Sequence, residues 1–197
     1  MRFVRPELLL LLLAGCPSTP PPAKVAEPCP PQTVTVEILA GEGVNPDLDG
    51  QPRPVVVRLY QLKSDTKLFN ASFDDIWQNE KATLADDLIK SEEVQLYPAT
   101  RSDVTFERKP ELHHVAAVAL FKNPKGRSWF TSLDLPAIPE AGKCTAAACA
   151  EDDDDCQPST LLAPKLVVWL DGAKVDEGAE HIEDFPKTGP MRRKKKP

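Results

Sequence analysis

The sequence predicts a mainly β fold, a two-sheet sandwich with a small helical insertion. Seven or eight short apolar segments recur between turn-forming residues, and several alternate with period two. Two helix-start signals occur, both between the second and third of those segments. Aromatic residues make up only 6% of the 197 residues, so the core must come from aliphatic side chains.

Taken in order, Thr33-Val34-Thr35-Val36-Glu37-Ile38 alternates and places Val34, Val36 and Ile38 on one face. Pro54 to Leu62 is β-branched at its start, and Val55, Val57 and Leu59 share a face. Ser72 with Asp75 three residues on makes a capping-box-like start, with Asp in place of Glu, leading into Ile76 and Trp77. Thr83 with Asp86 repeats the signal before Leu88 and Ile89, so the helical insertion is expected over about 70–89. Glu93 to Leu96 and Val104 to Phe106 read as short strands. Leu112 to Phe121 is a long apolar run suited to burial on both faces. Ser128 to Leu133 and Lys165 to Leu170 complete the set. Asp171-Gly172 then reads as a two-residue hairpin turn, with Ala173-Lys174-Val175 as the return strand.

The start of the chain addresses the compartment. Arg2 and Arg5 precede Leu8 to Leu13, then Ala14-Gly15, the pattern of an export signal over 1–15. Six leucines fall far short of the roughly 20 apolar residues that span a bilayer. Leu13-Ala14-Gly15-Cys16 resembles the bacterial lipobox, in which diacylglycerol is attached to the cysteine and cleavage leaves that cysteine first, to be N-acylated. Each acyl CH₂ adds ~0.8 kcal/mol of partitioning, so several chains anchor the protein permanently. Pro17, not Asp, follows the cysteine, which reads as an outer-membrane address on the periplasmic face. Residues 17–31 hold seven prolines and almost no apolar side chains, a semi-rigid spacer. It reaches at most ~50 Å at the ~3.1 Å per residue of polyproline II. The expected organisation is therefore a signal (1–15), a lipidated tether (16–32), a periplasmic sandwich domain (33–185) and a basic tail (186–197).

Net charge is −6, and about −7 once the leader is removed, which argues against a nucleic-acid partner. The one basic cluster is Arg192-Arg193-Lys194-Lys195-Lys196. Asn45-Pro46-Asp47-Leu48-Asp49-Gly50 imitates the opening of an EF-hand loop, but position 12 is Val56 rather than a bidentate Glu. Pro52 and Pro54 also block the exit helix, leaving a rigid loop between the first two strands. With Cys16 acylated, Cys29, Cys144, Cys149 and Cys156 remain. An even number in an oxidising compartment implies two disulfides, with three possible pairings. Their spacings do not suit zinc, and the Asp-rich insertion around them, 142–158, reads as a solvated loop. His113 and His114 lie side by side in the apolar run with no partner nearby in sequence, and His181 lies in a polar region close to the end of the folded part. No nucleophile elbow, H-E-x-x-H or Walker loop is present, so neither an enzyme, a cofactor nor a small-molecule substrate is expected.

These segments, in this order, resemble the TssJ lipoproteins (also VasD or Lip) of bacterial type VI secretion systems. The resemblance is carried by the lipobox, by Asn45-Pro46-Asp47 with Gly50, and by Pro54-Val55-Val56-Val57-Arg58-Leu59-Tyr60-Gln61-Leu62. Phe73…Trp77, Leu84…Asp87-Leu88, Val115 to Phe121 and Val167-Val168-Trp169-Leu170 extend it over roughly 33–135 and 161–175. It implies a transthyretin-like sandwich without catalysis that binds the periplasmic C-terminal region of inner-membrane TssM and docks the trans-envelope complex onto the outer membrane. The contact would fall in the loop at about Gly41–Arg53, through Asn45, Pro46, Asp47, Leu48, Asp49 and Gly50. The 142–158 insertion and the basic tail depart from the family pattern. Two rivals compete with this reading. One is a transthyretin-like carrier or enzyme, which needs a pocket of convergent polar groups. The other is a scaffold lipoprotein of a different envelope assembly.

Overall fold

The computed structural model describes residues 26–144 and 161–185. In chain order these form β1 (Thr33–Ala40), β2 (Val55–Leu62), α1 (Thr66–Asn70), α2 (Phe73–Leu84), β3 (Leu88–Leu96), β4 (Arg101–Glu107), β5 (His114–Ala119), β6 (Phe130–Asp134), β7 (Lys165–Asp171) and β8 (Lys174–Glu177). Short 3₁₀ turns at Ala85–Asp87 and Ala179–Asp184 complete the set. One sheet has the order β4-β1-β7-β8 and the other β3-β2-β5-β6. Each described pairing is antiparallel except β1 with β7. The alternation read in β1 and β2 puts Val34, Val36, Ile38, Val55, Val57 and Leu59 into the core between the sheets.

β5 has a second layer over it, which explains its unbroken apolar run. Val115 to Ala119 are all buried, because the helical insertion covers the face of this sheet that points away from the core. Leu68, Ala71, Ile76 and Leu84 are the insertion's buried apolar side chains, and the Leu and Ile residues each contribute about 1.5–3 kcal/mol of burial. The cap at Ser72 forms as read: Asp75 N–H donates to Ser72 Oγ and Ser72 N–H to Asp75 Oδ2, both at 3.1 Å.

The far boundary of the insertion differs from the expectation. Thr83 starts no helix; its hydroxyl donates back to Asn79 O at 2.9 Å inside α2. Leu88 and Ile89 open β3 instead, pairing alongside β2, so sheet hydrogen bonding overrides the cap-like spacing. The insertion also begins earlier, with α1 at Thr66. The hairpin turn moves by one residue: Asp171 pairs with Lys174, and Gly172-Ala173 form the turn with Gly172 at φ +56°.

A polar network ties the insertion to the sheet. α2 is broken at Asn79 (φ −151°, ψ 55°), and the next residue, Glu80, accepts from the buried Tyr60 hydroxyl at 2.6 Å. Arg58 lies 3.3 Å from Glu80, 2.8 Å from Glu93 and 5.8 Å from the Trp77 ring centre.

The N-terminal segment is held at the opposite end from the β1–β2 loop. Cys29 is disulfide-bonded to Cys144, and Gly142 N–H donates to Glu27 O at 3.0 Å. Next to this bridge, the buried Arg108 guanidinium donates to Gln32 Oε1, Leu112 O and Pro136 O. The Pro-rich stretch therefore joins the fold at Cys29, not at Thr33. On the outer face of the other sheet, His181 stacks on Trp169 at 4.2 Å and Arg101 donates to Phe185 O at 2.7 Å. The same Arg101 and Lys165 flank the buried Glu37 carboxylate, at 2.7 and 2.8 Å.

Candidate functional site

The loop joining β1 to β2 crosses between the sheets, and its ends are fixed by both. Gly41 N–H donates to Leu170 O at 2.7 Å, and Asn45 N–H to Gly172 O at 2.6 Å. A side chain at Gly41 would place its Cβ 2.7 Å from Asp171 Oδ1 and 3.0 Å from the Trp169 ring, so it would push the Asp171 carboxylate aside. Asn45 sits at φ +49°, a conformation Asn tolerates better than most residues. Its Nδ2 donates to Pro54 O at 2.7 Å and its Oδ1 accepts from Lys122 N–H at 2.9 Å. Asn45 is thus a buried brace between two loops rather than a displayed contact.

Asp47 organises the tip. Its Oδ1 accepts from Asp49 N–H at 3.0 Å and from Gln51 N–H at 2.9 Å, and its Oδ2 accepts from Arg53 Nε at 2.8 Å. The Arg53 side chain, then the Gln51 amide, hold the Asp47 carboxyl below the usual aspartate range. Gly50 N–H closes a turn onto Asp47 O at 3.0 Å, with Gly50 at φ +77°. Leu48 is left 88% exposed at the apex, flanked by the exposed Asp49 and Gly50. Both oxygens of Asp47 are engaged by the loop itself, which leaves the calcium-like spelling without its central ligand.

Beside the loop lies an open cleft, walled by Asn45, Pro46 and Asp47 on one side and by Asn123, Lys125, Ser128 and the Gly172–Lys174 turn on the other. Sequence reading missed these opposing residues because the walls come from loops far apart in the chain, and it missed the Arg53 ion pair within the loop itself. The Ser128 hydroxyl in this cleft donates to Lys125 O at 2.8 Å and lies 3.0 Å from Ala173 O. Of the other expected site residues, Cys29 and Cys144 are joined, while Cys16, Cys149 and Cys156 lie outside the described residues. His114 has partners the sequence did not reveal: Asp134 at 2.8 Å and Asp65 at 3.6 Å. No helix among the described residues is long and apolar enough to cross a membrane.

Comparison with solved structures shows the fold. The lipoprotein TssJ1 from Pseudomonas aeruginosa is similar at 21% identity and TM-score 0.56, over 75% of this chain and 95% of that one. Lip from Serratia marcescens, described as a membrane-bound component of the type VI secretion system, is similar at 20% identity and TM-score 0.60, over 75% and 97%. A chain of the structure described as the T6SS protein TssM C-terminal domain from EAEC is similar at 22% identity and TM-score 0.52, over 74% and 97%. Comparison with curated protein sequences finds no match. The family model described as "Type VI secretion lipoprotein, VasD, EvfM, TssJ, VC_A0113" matches residues 32–155, more than half the chain. With a two-sheet sandwich carrying the expected helical insertion, this chain belongs to the type VI secretion lipoprotein family.

Proposed function

We propose that this lipoprotein is held on the periplasmic face of the outer membrane by lipid on Cys16 and grips the periplasmic C-terminal region of TssM with its β1–β2 loop. The observation that carries the reading is Leu48: an apolar side chain fully presented on a loop whose backbone is already fixed. A rigid apolar tip with an acidic rim suits a small contact, because little conformational freedom is lost on docking. The described structure related to TssM supports the choice of partner.

The layout suits a mechanical link. The tether joins at Cys29, before β1, and the loop leaves at the far end of β1, about 25 Å away at ~3.3 Å per residue. Membrane attachment and partner loop therefore lie at opposite ends of the sandwich. The span free to bridge Cys16 and Cys29 reaches about 40 Å at ~3.1 Å per residue, shorter than the whole Pro-rich stretch. The role is anchoring, with no catalytic step.

Replacing the whole loop would remove the Asn45 brace, so the discriminating variant is Leu48→Asp. It should abolish capture of purified TssM periplasmic domain in biolayer interferometry while leaving the thermal transition unchanged. Unaltered affinity would move the contact off this loop.

A further inference from the structure

A different cluster lies at the tether end of the helix-covered sheet, remote from the partner loop. His114 opens β5 and pairs directly with Asp134, the last residue of β6, so both side chains stand on the face that carries the helical insertion. Asp65 reaches the same point from the start of α1. The three donor atoms, His114 Nδ1, Asp65 Oδ2 and Asp134 Oδ1, all lie within 4.8 Å of one another. His114 Nδ1 is 2.8 Å from Asp134 Oδ1 and 3.6 Å from Asp65 Oδ2.

We propose that Asp65, His114 and Asp134 form a zinc-binding site that clips α1 to the β5–β6 edge. Zn²⁺ binds imidazole nitrogen and carboxylate oxygen at about 2.0–2.2 Å, which sets neighbouring tetrahedral ligands about 3.3 Å apart. The two His114 separations lie on either side of that value and the two aspartate oxygens lie within 4.8 Å of each other, so side-chain rotations without backbone movement would close the three donors around an ion. Asp134, whose side chain is 86% exposed, is free to make them.

Two further observations point to a cation. Neither aspartate has a lysine or arginine ion-pair partner among the described residues, so two carboxylates share one imidazole. A divalent ion neutralises that excess charge directly. Ser132 Oγ also donates to Asp65 Oδ2 at 2.8 Å and fixes the orientation of this carboxylate, the kind of support that ligating carboxylates receive. Three protein ligands leave at least one position for water or for a donor from another molecule.

The test uses the full mature chain, stripped with EDTA and dialysed, then titrated with ZnCl₂ against a fluorescent zinc chelator and with CoCl₂ followed by visible absorption. One equivalent should bind, Zn²⁺ should raise the thermal transition, and Co²⁺ should give a tetrahedral d–d band. Asp134→Asn and His114→Gln should each weaken Zn²⁺ by about tenfold or more, whereas His113→Gln should not. Asp134 is exposed, so its variant folds whatever His114→Gln does. Absence of binding, or equal affinity in the wild type and Asp134→Asn, overturns the assignment.

Discussion

Arg53 donates through Nε to Asp47 Oδ2 at 2.8 Å, so the β1–β2 loop is closed by its own ion pair before any partner arrives. Asp47→Ala should leave Leu48 exposed but no longer fixed. Affinity for the TssM domain should fall several-fold, mostly through a higher ordering cost on docking. The carboxyl's folded pKa lies below the ordinary 3.8, so this closure is present above that value and is lost as pH falls through the lower folded one. Amide shifts of Asp49 and Gln51, the two N–H groups on that carboxylate, should therefore hold steady down to about pH 4 and move below it. Movement near neutral pH would contradict the clamp.

The Cys29–Cys144 bridge closes a loop of 115 residues. In the chain-entropy model such a loop stabilises by about 4–5 kcal/mol. Replacing both cysteines with serine should lower the thermal midpoint by about 10 °C or more by calorimetry. Mass mapping of the native protein should find both thiols oxidised.

Arg108 is buried without an acidic partner among the described residues and offers its fork to three oxygens on separate segments. Burial pulls its pKa down, but the guanidinium has three fixed acceptors. Arg108→Ala should cost about 3 kcal/mol in urea unfolding, because those acceptors lose a charged donor. Arg108→Lys should recover only part of this, since an ammonium lacks the planar fork.

Tyr60 and Glu80 give an alkaline test. Burial first, then the Glu80 hydrogen bond and its charge, push the phenol well above its usual 10. A raised folded pKa gives stability that is complete below the unfolded value and lost as pH rises towards the folded one. Titration at 295 nm should thus show one of the two tyrosines ionising only as the domain unfolds. Tyr60→Phe should remove that phase and destabilise by about 1–2 kcal/mol.

Cys16→Ser should release the protein from outer-membrane fractions and leave its thermal transition intact. In the proposed arrangement the Pro-rich span separates lipid from core, so the two are independent. Retention of the serine variant in the membrane fraction would count against lipid as the anchor.

Much of the sandwich was legible in the sequence because strand burial is written with period two. Val34, Val36, Ile38 and Val55, Val57, Leu59 needed no partner sheet to declare their faces. The Ser72 cap was equally local, since both of its hydrogen bonds lie within four residues. The Thr83 cap failed for the complementary reason: the segment from Leu88 gains more by pairing along β2 than a local cap supplies. The loop's composition singled out Asn45 and Asp47, yet composition did not say that one braces Lys122 while the other clamps Arg53.

The sequence by itself determined the β class, the position of the connecting loop, the insertion between β2 and β3, and the family resemblance. These depend on short-range periodicity and on motifs read within a few residues. Only the tertiary structure decided that Cys29 pairs with Cys144, that Arg108 locks the tether's base, and that Asp65, His114 and Asp134 converge. Each of these joins residues between 20 and 115 positions apart. Such meetings are fixed by the order in which strands pair and helices pack over them, which no local pattern encodes.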